Sequence, residues 1–513
     1  MFLPRSLISR RSLLALTGAA MGCKFLPVFA DSKKTESKAV PPSSTLFYRP
    51  GRTGDIWDTW IYYHNGKFYL YYNPSPSGRE ELGGWNCIAL ATSNDGVHWQ
   101  EQEIFLTASD EKVVMLGSGA VWTAQERSTG VEKFIMNFSE ARQRQDGTYQ
   151  QTIYFAESQD LVNWKRLSPD AFKADTRWYE PNGRWDNLWP VPRKEGGYYG
   201  YWAATPKDKK VGIGFGESPD GIRWRALEPP LLPELPLGPP TFLSPEVGAV
   251  HIWGERYYAL IGIDRSVRHA ISGAMEATVV ADSPFGPFLL AKKNRRLLVG
   301  SNSYFTRFVD LHDEVLVNHH SWEVHSNKPY GVDPARVYMA PIKKAHWDDE
   351  GTLRLMWWSK NDAAKAEQLS VVPGKSSFGL QPILLDTHFD PNKILILEGI
   401  MPLPNAKDEA PTGLYLQGAG DKGTAFLVRE NGAVHYGSMR FDGTQFEKED
   451  DVDRELPIKS TACFRLLRKG RLTEFYLNDY LMQCYSPPEV GTGRVGLIGP
   501  ATGFRELSAW YCR

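Results

Sequence analysis

The chain has 513 residues, with 59 Lys and Arg against 60 Asp and Glu, for a formal net charge of −1. This length passes the size at which one core usually stops growing and predicts two domains; the balanced charge and lack of long basic runs exclude an electrostatic case for nucleic acid or an anionic membrane. The aromatic load, 17 Trp, 23 Tyr and 24 Phe, suits β cores and supplies flat rings able to stack on sugars.

At the N-terminus, Ser9-Arg10-Arg11-Ser12-Leu13-Leu14 sets paired arginines ahead of the apolar stretch LLALTGAAMG, and resembles a twin-arginine export signal. Val28-Phe29-Ala30 has the small-residue pattern of a cleavage site, so residues 1–30 are expected to be removed and 31–44 to form a flexible linker. Cleavage before Cys23, leaving a lipid tether, is the rival reading; Gly22 favours it and Ala20 does not. Both readings give an exported protein, periplasmic or extracellular. No later apolar run is long enough to span a bilayer.

Residues 45–360 show short strand signals separated by turn chemistry and almost no helical periodicity. An acidic residue recurs ahead of similar strands: Asp58 in DTWIYYHNGKFYLYY, Asp186 in DNLWPVPRKEGGYYGYW and Glu246 in EVGAVHIWGERYYALIG. A second motif follows each opening strand. IALATSNDGVHW (88–99), IYFAESQDLVNW (153–164) and GIGFGESPDGIRW (212–224) are each a strand, a polar turn and Trp, and ATVVADSPFGPF (277–288) is a looser copy. Asp-Gly in two copies supplies the positive φ of a tight turn, so these Asp residues are read as turn-formers. Units starting near Asp58, Gly117, Asp186, Glu246 and Ser303 predict a five-bladed β-propeller, whose innermost strands converge on a central channel.

A lysine- and proline-containing connector is expected over residues 361–385. From 386 to 513 longer alternating segments such as LTEFYLNDYLMQCYS predict a β-sandwich. Of the cysteines left after processing, Cys463 and Cys484 are expected to pair if their strands are neighbours. No CxxC or HExxH spacing is present, His319-His320 would point to opposite faces of a strand, and neither a metal nor another cofactor is expected.

A five-bladed propeller with Asp, Asp and Glu on inner strands, followed by a β-sandwich, resembles glycoside hydrolase family 32 and its relatives in families 43, 62 and 68. LGSGAVW (116–122) is similar to that family's FSGSAV motif, SNSYFTRF (301–308) to its DFYA-x-QTF segment, and TEFYLNDYLMQCYSPP to the closing strands of its sandwich. The family's WMNDPNG is reduced here to Trp57-Asp58-Thr59-Trp60, its Arg-Asp-Pro to Arg184-Trp185-Asp186-Asn187, and its Glu-Cys to Glu246-Val247. Those losses put fructan specificity in question.

The resemblance implies an exported glycosidase acting on an oligosaccharide or polysaccharide, with a furanoside at the chain end. It makes Glu246 the general acid/base, Asp58 the nucleophile of a retaining mechanism and Asp186 the transition-state stabiliser. Under the family 43 pattern Asp58 activates water instead and the configuration inverts; retaining carboxylates stand about 5 to 5.5 Å apart and inverting ones about 6.5 to 9.5 Å. A non-catalytic carbohydrate-binding propeller is the reading from another class. Trp57, Trp60 and Trp189 are candidate sugar platforms, Arg184 a hydroxyl clamp and Ser118 a hydroxyl contact, each set against blade packing or a surface pair. Asp55 competes with Asp58, Glu180 competes with Asp186, and His319 and His320 could reach the channel or be structural.

Overall fold

The three strand–turn–Trp repeats adopt one hydrogen-bonding scheme. The Ser93 Oγ accepts the Gly96 N–H at 2.9 Å while Asp95 accepts those of Val97 and His98. Ser158 and Asp160 do the same for Leu161, Val162 and Asn163, and Ser218 and Asp220 for Gly221, Ile222 and Arg223. These aspartates are spent on backbone donors, as expected of turn-formers. The left-handed residue is Gly96 (φ 76°), Gly221 (φ 76°) and, in the copy without glycine, Leu161 (φ 65°). Burial of the Leu161 side chain and the Ser158 bond hold it there against a cost of roughly 1–2 kcal/mol.

These hairpins sit in a computed structural model that describes residues 43–44, 46–75, 86–125, 132–144, 147, 149–208, 211–235, 245–262, 276–298, 302–324, 334–372, 379–407, 409–451, 456, 458, 460–487 and 491–513. The expected signal segment, with Cys23, lies outside the described residues. Five antiparallel sheets follow one another along the chain. Their inner strands are Asp55–His64, the pair Val113–Gly117 and Val121–Gln125, Trp185–Pro192, Glu246–Trp253 and Ser303–Asp310. The ring closes between blades one and five, where Tyr48 and Met339 exchange backbone hydrogen bonds of 2.9 Å and Asp55 accepts the Val337 N–H at 3.0 Å. Apolar clusters fill the gaps between neighbouring blades: Trp60, Tyr71, Met136 and Phe138 between one and two, and Trp122, Phe155, Trp185 and Trp202 between two and three.

Every inner strand carries an extra residue at about the same depth. In blade one the pairing passes from Trp57↔Asn73 to Trp60↔Tyr71, so Asp58 and Thr59 oppose a single residue. The same step separates Asp186↔Ala203 from Trp189↔Tyr201, Val247↔Ile261 from Ala249↔Leu260, and Tyr304↔His320 from Arg307↔Asn318. In blade two it falls between Gly117↔Ser139 and Val121↔Met136. Such bulges re-aim side chains, and here they do so around the channel. Asp58 (φ 45°), Asn187 (φ 66°) and Phe305 (φ 64°) occupy the left-handed slot of their bulges. Blades two and four place glycine in the step. A Cβ on Gly119 would stand 1.5 Å from the Asn137 carbonyl oxygen, and one on Gly248 2.1 Å from that of Thr306.

The second domain is a sandwich of a six-stranded sheet on strands from an eleven-stranded one, with Leu397, Phe426, Leu466, Phe475 and Leu497 inside. The larger sheet runs on from blade five, since Leu353–Trp357 meets Tyr480–Tyr485 at Met356↔Tyr480. Across the junction the buried Lys343 ammonium lies 2.6 Å from Glu474, whose other oxygen accepts the Tyr476 hydroxyl. The segment expected as a connector contributes strands of its own: Lys365–Leu369 pairs with Arg505–Cys512, and Ile383–Leu384 with Val495–Ile498. The expected Cys463–Cys484 disulfide does not form. Leu472–Leu477 lies between their strands, Cys463 is exposed, Cys484 is buried, and neither is in a disulfide.

Candidate active site

One guanidinium joins two of the three predicted acids. Arg184 stands two residues before Asp186 on an extended segment, which puts both side chains on one side. Its Nη2 donates to Asp186 Oδ1 at 3.1 Å and to Glu246 Oε1 of the next blade at 2.7 Å. Asp186 is deep, at 3% side-chain exposure, whereas Glu246, at 23%, is partly exposed. Gln151 of blade two fixes Asp186 from behind, donating to its Oδ2 at 3.0 Å and accepting the Trp185 N–H at 3.0 Å. Burial works against the Arg184 charge, but the two carboxylates outweigh it and raise the pKa above the ordinary guanidinium value.

Blades four and five supply groups that the sequence reading passed over. Glu276 is fully buried and accepts the Phe305 N–H and, at 2.8 Å, the Thr306 hydroxyl, thereby pinning the bulge of the next inner strand. Burial, reinforced by Glu246, pushes its carboxyl up to about 8 against the pull of those donors. On one side of that bulge the Tyr304 hydroxyl donates to Glu246, and burial with the Glu246 and Glu276 charges raises the phenol well above its ordinary value, which keeps the proton on it. On the other side Arg307 is fully buried; its Nη2 donates to Ser118 at 3.3 Å and to Asn187 Oδ1. Burial lowers the Arg307 pKa to about 9, opposed by the charges of Asp58, Glu246, Glu276 and Asp186. Carboxylates of blades one, three and four therefore act on one cation at the axis. SNSYFTRF displayed this arginine, but only the bulge turns it inward.

The other predicted residues separate into two groups. Asp58 is half-buried in the left-handed slot facing Arg307, Ser118 lies beside Asn187, and Trp57 is half-buried in a T-shaped contact with His320, the ring centroids 4.7 Å apart. Trp60 is corrected as a platform, and Trp189 is half-buried. Trp60 is 1% exposed and stacks on Tyr71 between blades one and two. Trp189 packs between blades three and four with its N–H on the Val250 carbonyl, its ring 5.4 Å from Arg307. Of the competitors, Asp55 is consumed by Arg49 at 2.6 Å and by the Val337 N–H, and Glu180 is exposed in a turn. The two histidines point apart as expected: His320 toward Trp57, and His319 toward Lys343, where burial holds its pKa well below the usual imidazole value. The three acids also prove not to be equivalent by position. Asp58 sits in the left-handed slot, Asp186 in the pair before it, and Glu246 one residue earlier still.

A five-bladed propeller with two aspartates and a glutamate gathered around arginines at its axis, followed by a β-sandwich, is the architecture of the β-propeller glycoside hydrolases. The model of the Glycosyl hydrolases family 32 N-terminal domain matches residues 59–169. The match spans the first two blades, and the chain as a whole shares its fold with solved family 32 structures at low identity. Among solved structures, it is similar to the GH32 beta-fructofuranosidase BmSUC1 of Bombyx mori, at 15% identity and a TM-score of 0.64 over 91% of this chain and 94% of that one. The sucrose-6-phosphate hydrolase of Lactobacillus gasseri matches at 13% identity and 0.64, covering 93% of each chain. Fructan 1-exohydrolase IIa of Cichorium intybus matches at 12% and 0.62, over 92% of this chain and 98% of that one. No curated protein sequence matches.

Proposed function

We propose that the protein is an exported glycoside hydrolase that releases terminal fructofuranosyl or closely related furanosyl units with retention of configuration. The observation that carries the reading is the Arg184 bridge between Asp186 and Glu246 in a channel that Asp58 also faces. Solved relatives of this fold include BmSUC1 in complex with sucrose and the Cichorium enzyme in complex with 1-kestose. Export rests on the twin-arginine-like segment at residues 9–14.

In this reading Glu246, the more exposed of the pair bridged by Arg184, protonates the leaving oxygen as the glycosidic bond breaks, while Asp58 attacks the anomeric carbon from the opposite face. Glu246 then takes a proton from water, which releases the sugar from Asp58. Asp186, deep and held by Gln151 and Arg184, is placed to bind ring hydroxyls and favour the positive charge of the transition state.

The test is hydrolysis of sucrose, 1-kestose, inulin and aryl arabinofuranosides by the parent, Asp58→Asn and Glu246→Gln proteins, with product anomers followed by NMR in the first minutes. Loss of at least about 10³-fold in each folded variant, and first-formed product of the substrate's own anomeric configuration, are expected. Inverted product would move Asp58 to the role of base. Tight sugar binding with no turnover by the parent would establish a binding propeller instead.

A further inference from the structure

Arg307 is hard to explain as packing. It is a cation with no exposed surface, flanked by the rings of Phe305 at 4.3 Å and Trp189 at 5.4 Å. Its Nε and Nη1 have no hydrogen-bond partner among the described residues. An apolar side chain would fill that space without burying a charge or leaving donors unmatched. What Arg307 does have is a position: it follows the bulge that Glu276 pins, and its Nη2 reaches Ser118 of blade two and Asn187 of blade three. Asn187 in turn donates to the Val247 carbonyl, next to Glu246. The charged groups facing it are Asp58 from blade one, Asp186 from blade three, and Glu246 and Glu276 from blade four. Arg184 and the Tyr304 phenol border the same cluster.

We propose that Arg307 is a positioning residue of the candidate active site, tying blades two and three together through Ser118 and Asn187 and supplying a fixed positive charge on the side that Asp58 faces. Being fully buried, it acts through Asp58, Ser118 and Asn187 and not by touching the sugar. The inference rests on the hydrolase reading in assigning Asp58 its reaction, but the charge relationship itself does not depend on turnover.

The experiment compares the full-length parent with Arg307→Met, Arg307→Lys and Arg307→Gln. On sucrose, the acidic limb of kcat/KM in Arg307→Met is expected about one pH unit higher, with kcat down roughly 10- to 100-fold and KM changed less than about threefold. Arg307→Lys restores the limb because it keeps the charge, and Arg307→Gln, which keeps a donor but no charge, does not. If Arg307→Met fails to fold, the Lys and Gln pair decides the matter. An unmoved limb, or a rise in KM alone, overturns the proposal. If the parent hydrolyses none of the sugars, the hydrolase reading fails separately, and melting temperature from pH 3 to pH 7 still tests Arg307. The deficit of the Gln variant against the Lys variant should be largest near neutrality and shrink as the facing carboxylates protonate; a deficit independent of pH overturns the charge role.

Discussion

Arg184 Nη2 lies 2.7 Å from Glu246 Oε1, and that one contact joins blade three to blade four at the channel. The same nitrogen touches Asp186, so the charge state of Glu246, the proposed general acid, depends on a residue 62 positions away in sequence.

Replacing Arg184 by Met should therefore raise the Glu246 pKa, since a cation favours the ionised form. The basic limb of kcat/KM, which reports loss of the proton from the acid, should move to higher pH, while turnover falls roughly 10- to 100-fold because both carboxylates lose their anchor. Arg184→Lys should recover the limb only in part, as an ammonium lacks the planar fork. A profile that keeps its basic limb in the Met variant would remove Glu246 from the acid role.

Glu276 gives the fold a pH dependence of definite sign. Its folded pKa of about 8 lies above the ordinary carboxyl value of 4.5. Its stabilising contribution is thus fully present below about pH 4.5 and declines by about 1.4 kcal/mol per pH unit as the pH rises toward 8, where the folded carboxyl also ionises. Glu276→Gln resembles the neutral acid, accepting the Phe305 N–H and donating to Thr306. Denaturant titrations at pH 5, 6.5 and 8 should show a steady loss in the parent that is much reduced in the Gln variant. Equal slopes would mean that Glu276 is already ionised at pH 5.

The Lys343–Glu474 pair makes a prediction about the domain junction. Both side chains are buried, at 0% and 2% exposure. Removing one partner strands the other, so Lys343→Met alone should cost about 3–5 kcal/mol, whereas Lys343→Met with Glu474→Leu should recover most of that loss. Chemical denaturation of the three proteins checks it; a double variant no better than Lys343→Met would show that Glu474 is needed for another contact, such as the Tyr476 hydroxyl.

Much of the architecture is local and so can be read along the chain. Strand alternation, Asp-Gly turns and the spacing of Trp99, Trp164 and Trp224 depend on residues a few positions apart, and these mark the units of the propeller. The acids ahead of the strands were visible for the same reason. Trp60 was not placed by the sequence because one residue along a strand reverses the face, and the bulge between Trp57 and Trp60 decides which face is which.

The sequence by itself determined the β repeats, the turn role of the Asp-Gly carboxylates and the choice of Asp58, Asp186 and Glu246 as the acids to examine. Only the tertiary structure decided that these sit at three staggered slots, that Arg184 joins two of them, that Asp55 belongs to ring closure, and that Arg307 and Glu276 complete the cluster. The reason is physical. A turn is fixed by neighbours in the chain, whereas a buried charge is fixed by whatever the other blades place around it, and the strand bulges that aim it leave no single residue signature.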